Sequence, residues 1–352
     1  MSTSPGPGSG RGTSASSSTS GPPHSSIRMA RTGAKGTLPR FMSLTVVGSI
    51  AFDAVKTPFG ERPRMLGGSA VHFGLAASFF TDVRVVGPVG DDFGPAEIAV
   101  LEDRGVNTDD IEHVAGGKTF FWAGEYGWNL NDRETLDTQL GVFEHFAPKL
   151  SDASRDCDVL FLANIQPDLQ REVHAQCERA RFVAMDSMNL WIDIARDSLL
   201  ETISHVDAVI LNDSELRQLT EQASVVAAAR QVMALGPRVV VAKQGEYGAS
   251  LFTADGFFSL PAFPLESVVD PTGAGDSFAG GFVGFIAAHP DQELTHGLLS
   301  EAMAYGTAVA SHNVEEFGTE RVQRLSAGEI QERVSDLQRM THFDARAVSL
   351  RA

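Results

Sequence analysis

Residues 268 to 282 read Val268-Val269-Asp270-Pro271-Thr272-Gly273-Ala274-Gly275-Asp276-Ser277-Phe278-Ala279-Gly280-Gly281-Phe282. A β-branched pair closes a strand, Pro271 and two glycines make a tight turn, and an apolar, glycine-studded helix follows from Ser277 to Ala288. The turn therefore opens a helix N-terminus. There the N–H groups of Gly273, Ala274 and Gly275 are free to point at one anionic oxygen, and the helix dipole adds roughly half a positive charge. Asp276 at that positive end fits one chemistry well: taking the proton of an acceptor hydroxyl as it attacks a phosphoryl group. A short Gly-Ala-Gly-Asp alone would serve equally as a helix start, since Asp caps helices and glycine marks turns. The length of the run tips the balance.

As a whole the run resembles the C-terminal signature of the ribokinase family, also called the PfkB family of carbohydrate and nucleoside kinases. Four further stretches are similar to that family and stand in its order from about residue 43 to about residue 318. Gly67-Gly68-Ser69-Ala70, with the apolar helix Val71 to Phe80, matches its di-glycine motif. It follows a buried strand, Thr45 to Ile50, that runs to Asp53. Val86 to Gly94 reads as a strand end and turn framing the same side. Asn212-Asp213-Ser214-Glu215 matches its Asn-x-x-Glu pattern, and Lys243 to Gly248 its nucleotide-side turn.

The resemblance implies an ATP-dependent kinase with Mg2+, acting on a small sugar or nucleoside. By position it implies that Asp276 is the base and Gly273, Ala274 and Gly275 the anion hole. Asp53, Gly67 and Gly68 would bind the acceptor, and Lys243, Gly245, Gly248 and Thr272 the nucleotide. Asn212 and Glu215 would organise Mg2+, partly through water, and Asp270 would join a monovalent-cation loop that leaves K+ activation open. On their own residues these motifs have plainer readings. Asp53 suits a solvated turn, and Asn212 to Glu215 is a serviceable capping box. The metal role is compatible with that box, because magnesium keeps several waters and needs one or two carboxylates.

With 352 residues and mean hydropathy near zero, the chain can bury one large α/β core. Its net charge of −17 argues against nucleic acid or an anionic membrane as partner. Two cysteines, Cys157 and Cys177, give neither metal-ligand spacing nor a disulfide framework, which places the protein in a reducing cytoplasm. Residues 1 to 41 are rich in Ser, Gly and Pro with scarcely an apolar side chain, so they are expected to be disordered. Arg28, Arg31, Lys35 and Arg40 admit a targeting arm, and Met42 an alternative start. Neither a secretory signal nor an 18-residue apolar run is present.

Through residues 42 to 342, short apolar strands alternate with amphipathic stretches. The strands are Leu44 to Gly48, Val83 to Gly87, Val159 to Ala163, Phe182 to Asp186, Ala208 to Asn212 and Val239 to Lys243. The helices are Leu169 to Arg179, Ile192 to Ile203 and Ser224 to Ala234. This predicts a ribokinase-like, doubly wound, mostly parallel α/β sheet. Residues 53 to 65 and 118 to 146 break the rhythm, the second with Phe120, Phe121, Trp122, Tyr126 and Trp128. They lie where the family carries a small β-sheet lid, through which some relatives dimerise; a plain surface hairpin is the alternative. Residues 343 to 352 read as a C-terminal tail.

Rival chemistries lack an anchor. Gly117-Lys118-Thr119 is no P-loop, because Glu112 stands where its first glycine belongs. No metalloprotease, hydrolase-elbow or dinucleotide signature occurs. A non-catalytic ligand sensor of the same fold would have lost the base or the anion hole, and both are present. The acceptor stays open. Ser69-Ala70-Val71-His72 departs from the Lys- or Asn-bearing versions that touch sugars in ribokinase-like enzymes. Val71, His72, Phe73 and the aromatic segment could stack on a base or simply pack a core.

Overall fold

The computed structural model describes residues 43–345; the expected N-terminal tail, Met42 as a start, and most of the C-terminal tail lie outside them. Among the described residues, thirteen strands divide between two sheets. In chain order they are β1 Leu44–Val47, β2 Ala51–Thr57, β3 Gly60–Gly67, β4 Val83–Val89, β5 Asn107–His113, β6 Phe120–Tyr126 and β7 Arg133–Gln139. There follow β8 Val159–Leu162, β9 Phe182–Met185, β10 Ala208–Asn212, β11 Val239–Lys243, β12 Ala249–Thr253 and β13 Gly256–Leu260.

The large sheet runs β13-β12-β11-β10-β9-β8-β1-β4-β5. Pairs from β11 through β5 are parallel, and β12 and β13 close one edge as an antiparallel hairpin. The central strands are buried on both faces, and their alternate residues enter different cores. Val46, Phe161 and Ile210 face a core built with the helices Ser69–Ala77, Ala274–Ala287 and His296–Asn313. Val47, Leu162 and Leu211 face a second core under the helices Pro167–Gln176, Arg196–Ile203, Asp213–Thr220 and Val225–Met233. Two apolar faces per strand account for the unbroken hydrophobic runs.

The small residues after Asp276 have a packing purpose. A Cβ on Gly280 would stand 2.4 Å from the Phe73 carbonyl oxygen, and one on Gly281 2.9 Å from the Gly306 Cα. Glycine lets the helix Ala274–Ala287 press against both neighbours and so fixes where its N-terminus emerges.

The two segments that break the α/β rhythm pair with each other. They form the second sheet, β3-β2-β6-β7, with β2 parallel to β6 and antiparallel outer pairs. Asp53 is not a turn residue but the third residue of β2, and it is buried. The predicted helix Ile192 to Ile203 is broken. Ala195, with φ −143° and ψ 33°, separates Asn189–Ile194 from Arg196–Ile203. Trp191 donates to Asn164 and Arg196 to the Leu219 carbonyl, contacts that hold the two halves in different directions. Strand β5 escaped the sequence reading because it is an edge strand in which Ile111 alone is buried.

Candidate active site

The candidate residues gather at the carboxyl ends of β1 and β9 to β11, next to β1, where the order of the sheet reverses; that is the usual ligand crevice of such sheets. Four elements build it: the turn before the helix Ala274–Ala287, the ends of β9 to β11, the di-glycine before the helix Ser69–Ala77, and the small sheet. A polar cleft of about 340 Å3 around Asp156, Cys157 and Arg179 lies at the opposite, amino end of the strands and contains none of them.

Gly273 caps the central helix in the left-handed region, φ +73°, and its Cα rests on the His72 ring; an added Cβ would lie 2.2 Å from Nδ1. The turn is held from behind. Asp270 accepts N–H bonds from Thr272 on one oxygen and from Gly318 on the other, both at 2.9 Å. Asn313 donates to the Thr272 carbonyl at 2.8 Å and accepts from Ser277 at 3.1 Å. Because Ser277 is a donor to that same oxygen, the His72 contact to it at 3.3 Å requires His72 to carry its proton on Nδ1. Burial lowers the His72 pKa to about 4, so the ring is neutral. Of the three amides expected to form the anion hole, that of Ala274 donates to the Pro271 carbonyl at 3.2 Å. Among the described residues, those of Gly273 and Gly275 have no carbonyl partner.

Asp276 stands in the first turn of this helix and is half-buried, and the desolvation of its carboxylate pushes its pKa up to about 7; the negative charge of Asp186 adds to the rise, while Lys243 and Arg133 oppose it. Lys243, expected at the nucleotide turn, instead points inward from the end of β11 and donates from Nζ to Asp186 Oδ2 at 2.9 Å. Burial disfavours its charge, yet Asp186 and Glu215 outweigh that and raise its pKa. The ammonium lies close beneath Gly275, 3.1 Å from where a Cβ would stand. Gly245 and Gly248 shape the turn beyond it with φ of +56° and +98°.

Glu215 and Asn212 form the reciprocal cap: the Asn212 side chain accepts the Glu215 N–H at 2.7 Å and the Glu215 carboxylate accepts the Asn212 N–H at 2.9 Å. One oxygen of this half-buried carboxylate is left over. Burial and the nearby Asp186 raise the Glu215 pKa to about 7. Two carboxylates, buried Asp186 and half-buried Glu215, sharing one lysine are a donor set short of positive charge, as a hard cation requires. No group of three such ligands converges among the described residues, so a bound Mg2+ would take its remaining oxygens from water and phosphate.

The acceptor side is as tightly built. A Cβ on Gly67 would fall 2.0 Å from Asp53 Oδ2, and one on Gly68, at φ +99°, 2.5 Å from the Ser49 carbonyl oxygen. Ser49 and Ser69 bond to each other and to each other's amides, which locks the end of β1 to the helix start. Burial raises the Asp53 pKa to about 7, with Asp270 and Asp276 adding to the rise and the Gly68 amide and Arg133 opposing it.

Asp186 and Arg133 were not singled out in the sequence, and Tyr126 was named only among the aromatics of the second inserted segment, with no site role. Tyr126, at the end of β6, accepts a hydrogen bond from Thr272 at 3.1 Å and so ties the small sheet to the turn. The signal for Asp186 was available: a carboxylate ending an apolar strand beside two other motif-bearing strand ends. Arg133 carries no such signal, because its strand is polar and exposed throughout.

The comparisons with known proteins converge on the same reading. The family model described as pfkB family carbohydrate kinase matches residues 64–324. The cytidine kinase of Thermococcus kodakarensis is 30% identical over 266 residues, spanning 72% of this chain and 91% of the relative. The ribokinase of Bacillus subtilis is 25% identical over 79% of this chain and 94% of its own length. Among solved structures, the adenosine kinase of Sinorhizobium meliloti superposes with a TM-score of 0.70 at 19% identity, covering 84% of this chain and all of that one. With the motifs in order and the fold in place, this chain belongs to the pfkB family of carbohydrate kinases, which makes it a phosphotransferase of the ribokinase type.

Proposed function

We propose that the protein transfers the terminal phosphoryl group of ATP to a hydroxyl of a small sugar, free or as the sugar of a nucleoside. The observation that carries this is Asp276: a half-buried carboxylate whose desolvation lifts its pKa to about 7, at a helix N-terminus whose Gly273 and Gly275 amides have no carbonyl partner among the described residues. Asp276 takes the hydroxyl proton, the freed oxygen attacks the terminal phosphorus, and the bond to the leaving ADP oxygen breaks. The Gly273 and Gly275 amides and Lys243 hold the charge on the equatorial oxygens. Asp53 accepts hydrogen bonds from neighbouring acceptor hydroxyls, and the sheet of β2, β3, β6 and β7 covers them as a lid. Asp186 and Glu215 would hold Mg2+, which would supply charge neutralisation on the nucleotide phosphates.

A nucleoside acceptor is favoured by one feature. Trp122 pairs with Asp53 across β6 and β2 and is only half-buried, offering an aromatic face beside the acceptor carboxylate. The similarity to the Thermococcus cytidine kinase points the same way. The test is a panel of sugars, inositols and nucleosides incubated with MgATP, scored by ADP release and by mass of the phosphorylated product. Acceptor-dependent ADP release is expected; ATP hydrolysis that no acceptor stimulates would overturn the reading.

A further inference from the structure

We propose that Asn313 is a positioning residue that aims the Gly273 amide of the anion hole by holding, from behind, the carbonyl of the same peptide unit. The proposal deepens the kinase reading above and rests on it, and it gives a role to a residue that none of the motifs contains.

Pro271, Thr272, Gly273 and Ala274 form a β-turn, closed by the Ala274 N–H on the Pro271 carbonyl at 3.2 Å. Gly273, at φ +73° and ψ 1°, makes it a type II turn. A type I turn keeps the same closing bond and differs in its central peptide, here Thr272–Gly273, which is turned over by about half a rotation. Glycine tolerates φ of either sign, so Gly273 permits both forms. The C=O and N–H of one trans peptide point in opposite directions, so whatever fixes the Thr272 carbonyl also fixes the aim of the Gly273 N–H.

Asn313 makes the choice. Completely buried as the last residue of the helix His296–Asn313, it donates from Nδ2 to the Thr272 carbonyl at 2.8 Å and accepts on Oδ1 from Ser277 Oγ at 3.1 Å. A carbonyl oxygen can only accept, so Nδ2 must be the atom that faces Thr272, and the amide has one orientation. His72 adds a third contact, Nδ1 to the same Oδ1 at 3.3 Å, while its ring lies against the Gly273 Cα. One side chain thus grips both ends of the anion-hole turn, Thr272 before the glycines and Ser277 after Asp276. In the type I form the Gly273 N–H would turn towards the Nδ2 donor. The Thr272 carbonyl would turn the other way, and its partial negative charge would face the place of the phosphoryl oxygens. Both errors bear on charge that develops in the transition state, so they cost turnover rather than ground-state binding. Core support alone would cost stability.

The experiment compares wild type with Asn313→Asp, Asn313→Ala and Ser277→Ala. As a carboxylate, Asn313→Asp keeps the shape and both accepted bonds but has no donor for Thr272, and it carries the test if Asn313→Ala does not fold. Losing an anion-hole donor outright costs about a hundredfold or more, so mis-aiming one should lower kcat about tenfold to a hundredfold in both Asn313 variants. KM for ATP and for acceptor should change less than about threefold, and Ser277→Ala, which leaves the Thr272 bond in place, should lose less than about threefold in kcat. Affinity for MgADP with aluminium fluoride and acceptor, a mimic of the transferring phosphoryl group, should weaken by the same factor as kcat, while affinity for MgADP alone stays put. Crystal structures of wild type and Asn313→Asp give a readout that needs no turnover: the Thr272–Gly273 peptide should be turned over, wholly or in part, in the variant. A kcat of Asn313→Asp within about threefold of wild type, a loss no larger than that of Ser277→Ala, or a peptide that keeps its orientation would overturn the aiming role. If wild type transfers phosphate to nothing while the peptide turns over in the variant, the kinase reading fails and the aiming stands. If wild type transfers phosphate and the peptide does not move, the aiming fails and the kinase reading stands.

Discussion

Asp53 and Gly67 show how little room the site leaves a single residue. The missing Cβ of Gly67 is what allows Asp53 Oδ2 to sit against the backbone, 2.0 Å from where that carbon would be. Gly67→Ala should therefore displace the carboxylate and raise acceptor KM by about tenfold or more, an overpacking effect of roughly 1 to 3 kcal/mol. In an Asp53→Ala background the same change should cost much less, because the clashing group is absent; additive effects in this cycle would contradict the contact. These glycines were legible as a motif in the sequence. What each one avoids was not, since the neighbour that demands a glycine comes from a strand some fifteen residues away in the chain. Lys243 gives the opposite lesson: its place at the end of β11 was legible, and its inward turn onto Asp186 was set by tertiary partners, Asp186 just after β9 and Glu215 in the helix after β10.

At the scale of elements, the parallel strands announced themselves by apolar runs buried on both faces. The small sheet announced itself only as an interruption, because its strands are half exposed and their partners lie far apart in sequence. It is attached to the catalytic turn by a hydrogen bond from Thr272 to buried Tyr126, with Val269 packed against the same cluster. Tyr126→Phe should loosen that attachment at about 0.5 to 1.5 kcal/mol and raise acceptor KM roughly threefold to tenfold. ATP KM should barely move. Thr272→Val should mimic it, and the double variant should be no worse than either; a change in ATP KM as large as that in acceptor KM would place the tie elsewhere.

For the whole molecule, the site is a cost that the two cores carry. Asp53, Glu215 and Asp276 are each lifted to a pKa near 7, chiefly by burial. Carboxyls whose folded pKa is raised add stability that is complete below the unfolded value, about 4, and lost as pH climbs through about 7. The sequence gives no hint of this, because the same residue types in a solvated turn would ionise normally; burial by two sheets creates it. The thermal midpoint should therefore fall between about pH 6 and pH 8, and Asp276→Asn should flatten that fall and raise the midpoint at pH 8 by roughly 1 to 3 °C. The same variant decides the central claim. Asp276→Asn keeps the shape of the side chain and removes the base, so kcat for phosphate transfer should drop about a hundredfold to ten-thousandfold in a protein that is folded and at least as stable as wild type. A variant that turns over within a few fold of wild type would show that Asp276 does not take the proton and that the chemistry of this site has been misread.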